Sequence, residues 1–402
     1  MSAHPIRPAV VAALVAFALL TALLGGCGGS DGRHDTPTAG GVGSAPAAGA
    51  PSLSTKNTTR LGGADPVDDA AAVARAVYPG LTVDTRPAAV TLVSEQDWAT
   101  ALAASALAGA PLRAPLLYAT PGAMRAAGAQ ALRAIAPSGS PSLGKAQVIT
   151  VGRVSAPPGY ATHALLPGGD RFALAGAIAG LLSKLSGTTP RQVLVVGADG
   201  PPAFAMPAAG LAAESGAPIL LVSAAGVPRA TGAVLAHLKR PTMYVVGPSA
   251  AVSDKVLAGL RRYGPVIRIG AADPVSNAIA VARFSDGAFG WNVNDPGHGL
   301  VFVNQQRPAD AAAAASLSAS GEYGPLLLLD RSDRLTPALA QYLSNIQPGY
   351  TDAPRFRPVR GVYNHGWLIG DEQAISATAQ AQLDALLEIS PRSSAAAATP
   401  SP

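Results

Sequence analysis

Few residues in this sequence have the types and spacing that chemistry requires. Gly139-Ser-Pro-Ser-Leu-Gly144-Lys145-Ala146 comes one residue short of a phosphate-cradling loop. Such a loop needs a hydroxyl for magnesium where Ala146 stands, and it follows a strand and opens a helix, whereas this stretch precedes a strand. It reads as a surface loop. The six histidines are scattered, and His163, His237, His298 and His365 lack the i, i+4 spacing with an intervening glutamate that would hold a metal. Ser223 follows an apolar run but has no leading glycine to make a nucleophile elbow. No acid/base pair stands out for hydrolysis or transfer. No metal and no cofactor is implied, and the chain reads as non-catalytic. What the sequence does offer is paired cations: Lys239 with Arg240, Arg261 with Arg262, and the cluster Arg355, Arg357 and Arg360 close to Tyr350, Tyr363 and Trp367. Guanidinium groups grip phosphate or carboxylate bidentately and aromatic rings stack on sugars, so these residues suit an acidic polysaccharide.

The background is sparse in charge. Only 13% of the 402 residues are charged, with 29 basic against 24 acidic side chains and a net charge of +5. That excess is spread without dense Lys/Arg runs, which disfavours nucleic acid while suiting an anionic polymer or membrane surface. Nearly half the chain is apolar (49%), ample for a sizeable core. The single cysteine, Cys27, can form no intramolecular disulfide. It follows Arg7, the sixteen-residue apolar run Ala9 to Leu24, and Gly25-Gly26. This resembles a bacterial lipoprotein signal: the run is short for a membrane span, and small residues before a cysteine suit cleavage and acylation of its sulfur. Residues 1–26 are then a signal peptide. Cys27 with the Gly/Ala/Ser/Thr/Pro stretch to residue 57 is a lipidated flexible tether, and 391–402 is a disordered tail.

Between these ends the sequence repeats three times, over 58–158, 159–267 and 268–390. The copies open with Arg60-Leu-Gly-Gly-Ala-Asp65-Pro, Leu166-Pro-Gly-Gly-Asp170-Arg171-Phe172 and Arg268-Ile-Gly-Ala-Ala-Asp273-Pro. Each opening leads to an apolar run (Val90 to Val93, Val193 to Val196, Leu300 to Val303), an Ala-rich helical stretch, and a run introduced by proline. The proline runs are Pro115-Leu116-Leu117, Pro218-Ile219-Leu220 and Pro325-Leu326-Leu327. A third run ends in glycine (Gly152, Gly247, Gly370), and Ser253 and Ser376 follow as helix N-caps in the second and third copies. In the first copy Ser155-Ala-Pro-Pro-Gly replaces that last helix. Continuous apolar runs alternating with helices predict an α/β fold: three tandem Rossmann-like modules, each a small parallel sheet flanked by helices. Ligands of parallel sheets usually meet the loops at the carboxyl ends of strands, here around Thr120, Ser223 and Asp330.

The openings, the proline runs and Gly247-Pro-Ser-Ala-Ala-Val-Ser253 resemble the type 2 cell wall-binding repeat, over about residues 58–389. The resemblance implies pseudo-threefold packing of the modules and noncovalent attachment to an anionic wall polymer. It also makes the proline runs candidate polymer contacts, although physically they read as core strands. Arg171 is a further candidate, for polymer or for bridging modules. Pro66 and Pro274 replace the arginine that normally follows the opening aspartate in the family. The implied protein is a monomeric, extracytoplasmic envelope lipoprotein tethering membrane to wall. A solute-binding lipoprotein of a transporter and an enzyme acting on wall polymer are the alternatives; threefold repetition counts against the first, and the lack of an acid/base pair against the second.

Overall fold

In the computed structural model, residues 51–165, 169–319, 324–350 and 363–391 are described. The signal peptide, Cys27, Arg355, Arg357, Arg360 and nearly all of the expected tail lie outside them.

In chain order the first run of elements is β1 (Pro51–Ser54), β2 (Thr58–Leu61), α1 (Pro66–Val77), β3 (Val90–Val93), α2 (Trp98–Ala104), β4 (Leu116–Tyr118), α3 (Ala126–Ile135) and β5 (Val148–Val151). The second is β6 (Thr162–Leu165), α4 (Arg171–Ser186), β7 (Gln192–Gly197), α5 (Ala208–Ser215), β8 (Ile219–Val222), α6 (Arg229–His237), β9 (Thr242–Val246) and α7 (Asp254–Leu260). The third is β10 (Val266–Ile269), α8 (Pro274–Arg283), β11 (Gly299–Asn304), α9 (Pro308–Ser318), β12 (Leu326–Leu329), α10 (Pro337–Asn345), β13 (Gly349–Tyr350), β14 (His365–Ile369), α11 (Ala377–Leu387) and β15 (Ser390–Pro391). The helices begin where the sequence supplies caps: Asp65, Asp170, Asp273, Ser253 and Ser376 each accept from a backbone N–H of the first turn.

Three parallel sheets share one strand order: β4-β3-β5-β6, β8-β7-β9-β10 and β12-β11-β14-β2. The fourth strand of each sheet comes from the opening of the next repeat. β6 completes the first sheet and β10 the second, and β2 returns to pair with β14 of the third. The three modules are thereby closed into a pseudo-threefold ring.

Two arginines fasten this exchange. Arg60 on β2 is buried and donates to the Gly370, Asp371 and Ile375 carbonyls and to Gln380, holding the turn after β14 and the start of α11. Arg268 on β10 does the same to the Gly247 and Val252 carbonyls and Asp254, ahead of α7. In the first module the strand β6 ends at Leu165 and no helix follows Ser155 before it, so there is nothing to clamp.

At the centre α2 with its following turn, α5 and α9 pack on one another. Alanine permits this approach, and Gly109 shows how close it is: a Cβ there would sit 2.2 Å from the Ala213 carbonyl oxygen. The nine residues of the proline runs are buried in or just ahead of β4, β8 and β12. They fill the core and leave no side-chain surface for a polymer, because strands flanked by helices on both faces are covered.

Composition suggested a flexible tether as far as residue 57, yet Pro51–Ser54 pairs antiparallel with β2. Thr55 and the Asn57 N–H bind the Asp384 carboxylate at 2.5 and 2.7 Å, and Lys56 pairs with Glu388 at 2.6 Å. Backbone pairing and three polar contacts to α11 and its end supply what apolar burial does not. Likewise Pro391 sits in β15 beside Tyr350 of β13, so order extends to that residue.

Candidate functional site

The second sheet runs β8-β7-β9-β10, and the residues just ahead of three adjacent strands in it are cationic. Arg191 precedes β7, Lys239 and Arg240 precede β9, and Arg261 and Arg262 precede β10. The strand starts lie side by side: the Arg191 carbonyl accepts from Thr242, the Pro265 carbonyl accepts from Met243, and a Cβ on Gly264 would meet the Arg240 backbone at 3.1 Å. All five cations are exposed. Among the described residues none forms a salt bridge, and the side-chain hydrogen bond recorded in the group is from Arg262 to the Gly259 carbonyl. Lys239 and Arg240 hold φ of 55° and 68°, a left-handed conformation that non-glycine residues rarely adopt. The two consecutive strained residues turn the chain sharply out of α6 into β9 and fix this corner of the rim.

Arg191 also borders a cleft of about 1060 Å³. Its wall comes from Ala110 and Pro111 of the first repeat, the end of α4, the start of β7 and the end of α5 in the second, and Phe289 with its neighbours in the third. Phe289 is carried there by stacking on Tyr244 of β9, with ring centroids 4.3 Å apart, while the Tyr244 hydroxyl donates to Asp286 at 2.7 Å. That hydrogen bond holds the Asp286 carboxyl below its ordinary range. Arg191 is the cation that the cleft and the rim share, at the amino ends of the strands.

The carboxyl ends are occupied differently. Thr120 and Ser223 close tight turns onto Ala123 and Gly226, and Asp330 keeps a buried carboxyl oxygen without a hydrogen-bond partner among the described residues. Next to them the modules meet. Asp69 on α1 and Asp310 on α9 are fully buried, and one guanidinium, Arg307, reaches both at 2.6 and 2.7 Å. Burial pushes the Asp69 carboxyl up, and the neighbouring Asp310 adds to the shift against the pull of Arg307. Asp310 is raised as well, again chiefly by burial. Tyr118 donates to the Ala309 carbonyl at 2.6 Å across the same seam. This pair of carboxylates sits at an internal seam, closed to solvent at both acids.

Of the residues singled out from sequence, Lys239, Arg240, Arg261 and Arg262 are thus brought together. Arg171 donates to the Ala198 carbonyl at 3.3 Å, within its own repeat. Tyr350 and Tyr363 are exposed, and Trp367 on β14 packs edge-on against His365. The Gly139–Lys145 stretch closes on itself through Ser140 and Ala146, ahead of β5. Sequence reading missed Arg191, the acid pair with Arg307, and Glu214 at the end of α5. For Glu214 a signal existed: an acid just before the Ser-Gly that ends a helix opposes the helix dipole.

Comparison with known proteins adds to this geometry. The family described as cell wall binding domain 2 (CWB2) matches residues 166–257 and 268–380, together just over half of the chain. The structure of Cwp8 from Clostridium difficile superposes with a TM-score of 0.64 at 20% identity, covering 83% of this chain and 52% of that one. Cwp6 from Clostridium difficile gives 0.64 at 17% identity, covering 83% and 48%. This chain therefore spans about half the length of those structures. No curated protein matches it.

Proposed function

The chain belongs to the cell wall binding domain 2 family, and from that premise we propose that it is a non-catalytic envelope protein that grips an anionic wall polysaccharide. The grip lies on the amino-end rim of the second module. The observation that carries this reading is the row of exposed cations without salt-bridge partners, Arg191, Lys239, Arg240, Arg261 and Arg262, ahead of three adjacent strands, with Arg191 also lining the cleft. Exposed, uncompensated cations lower the free energy of a passing polyanion and release its counterions.

The second half of the proposal concerns attachment. Acylation of Cys27 would fix the amino-terminal side to a membrane, so that the protein ties membrane to wall. The diacylglyceryl group that a lipoprotein signal places on this sulfur carries two acyl chains, enough for stable anchoring.

Cosedimentation of the protein with purified cell walls tests the first half. Binding should weaken with salt and disappear from walls stripped of anionic polymer by acid. Replacing Lys239, Arg240, Arg261 and Arg262 together by glutamine should weaken binding at least about tenfold and flatten its salt dependence, since each cation contributes screened electrostatic attraction. Binding unchanged by salt, stripping and these substitutions would sink the reading. For the second half, detergent partitioning of protein made in a lipidating host should be lost in Cys27→Ala.

A further inference from the structure

The cleft holds one feature that a purely anionic ligand does not explain. Glu214 lines it together with Arg191, yet the two form no ion pair. Glu214 is exposed at the cleft wall, no cation touches its carboxylate among the described residues, and partial desolvation there pushes its pKa up.

Its position compounds the cost. Glu214 lies in the last turn of α5, which ends at Gly216 in the left-handed conformation (φ 70°) with its N–H on the Ala212 carbonyl. Carbonyl oxygens converge at a helix C-terminus and carry partial negative charge, so an acid there is repelled where a lysine would be attracted. Glu214 is exposed to the cleft, and an unpaired carboxylate at the negative end of a helix is unfavourable there. Such local conflict marks a place where a bound group supplies the missing charge.

We propose that this cleft takes a sugar unit bearing both an amine and an acidic group, the ammonium against Glu214 and the acid against Arg191. The proposal rests on the polymer-binding reading above and sharpens it: the ligand is a zwitterionic, amino-sugar-containing polymer rather than a simple polyanion. The remaining lining fits a sugar. Thr188, Thr189 and Gln192 offer hydroxyl and amide partners, and Pro111 with the uncovered edge of Phe289 offers apolar surface for its C–H face.

Three probes that share one phosphate isolate the amine: glucosamine 6-phosphate, N-acetylglucosamine 6-phosphate and glucose 6-phosphate. Titrated calorimetrically into the full chain in mild detergent at neutral pH and low salt, the first should bind about tenfold or more tighter than the others. That is the gain expected of a charge-assisted contact. Glu214→Gln should erase the preference while leaving glucose 6-phosphate binding intact, and Arg191→Gln should weaken all three. Glu214→Gln should also raise the thermal unfolding midpoint of the unliganded protein, because it removes an uncompensated charge. Equal binding of the three probes, no saturable binding of glucosamine 6-phosphate, a preference that survives Glu214→Gln, or a lowered midpoint would each overturn the proposal. Wall cosedimentation of the same variants separates the two ideas: salt-sensitive wall binding without amine preference leaves the polymer reading standing and removes this one.

Discussion

Two seams of the ring are built on the same helical position and solved with different chemistry. Four residues after the N-cap aspartate, α1 carries Asp69 and α8 carries Asn277, both fully buried. Each uses one side-chain oxygen identically, accepting the backbone N–H six residues earlier: Gly63 at 2.7 Å for Asp69 and Ala271 at 3.3 Å for Asn277. The second atom differs. Asn277 donates to the Phe204 carbonyl of the neighbouring module at 2.9 Å, whereas Asp69 takes Arg307 from α9. In α4 the corresponding residue is Leu174, which packs into the core. The shared requirement is therefore support of the turn that links the exchanged strand to its helix. The outward half of the side chain is free to be neutral or ionic.

The ionic solution carries a charge imbalance. One guanidinium serves two buried carboxyls, Asp69 and Asp310, with Asp371 a more distant third at 3.8 Å. The most damaging change should be Arg307→Met, which strands both acids without a cation. Loss of one partner of a buried ion pair costs about 3 to 5 kcal/mol, readable in urea denaturation. A loss below about 1 kcal/mol would show that the acids are already fully neutral. Next in size is Asn277→Asp, which gives the second seam a carboxylate with no guanidinium and turns a donor toward Phe204 into an acceptor. It should cost about 2 kcal/mol at pH 8 and less as acidification neutralises the group.

The smallest and most discriminating change is Asp69→Asn, which copies one seam onto the other. A carboxyl whose pKa is raised on folding keeps its proton in the native state at pH values where the unfolded chain has lost it. Its stabilising contribution is complete below the ordinary carboxylate pKa and is lost as pH rises toward the raised native value. Asp69 and Asp310 are both shifted upward, so stability should decline from mildly acidic toward alkaline pH. Asp69→Asn should flatten that decline and gain on the order of 1 kcal/mol near pH 8. Unfolding free energies across pH 5 to 9 check the sign; a wild-type stability that rises over this range would contradict it.

Much of the fold was legible because its signals are local. Apolar runs such as Val90–Val93 and Leu326–Leu329 became buried parallel strands, and the caps Ser253 and Ser376 began helices. What was not legible depends on which copy pairs with which. A sequence repeat states that β2, β6 and β10 are alike; it does not state that each serves the preceding sheet. Asp69 and Arg307 lie 238 residues apart, and no spacing rule links them. The cleft draws on all three repeats, so no single copy contains its signature. Lys239-Arg240 and Arg261-Arg262 were visible as pairs, but their alignment with Arg191 required the strand order. Ligand contact was expected at the carboxyl ends of strands. In this ring the Arg60 and Arg268 clamps and the acid pair occupy those ends as internal fastenings, and the unpaired cations of the second module gather at the opposite ends.

The returning strand imposes an order on how the protein comes into being. β2 pairs with β14, whose residues are made some three hundred positions later. A chain leaving the ribosome or a translocation channel amino end first must hold one edge of that strand open, with only β1 beside it, through the synthesis of nearly the whole fold. Its Thr58-Thr-Arg-Leu61, polar at three of four positions and carrying a charge, is poorly suited to stray pairing in the meantime. The first and second modules can close their sheets as soon as β6 and β10 emerge. The third waits for the oldest segment of the chain to come back, so the last step of assembly is a long-range capture, slow by contact order and committed only once the entire ring exists.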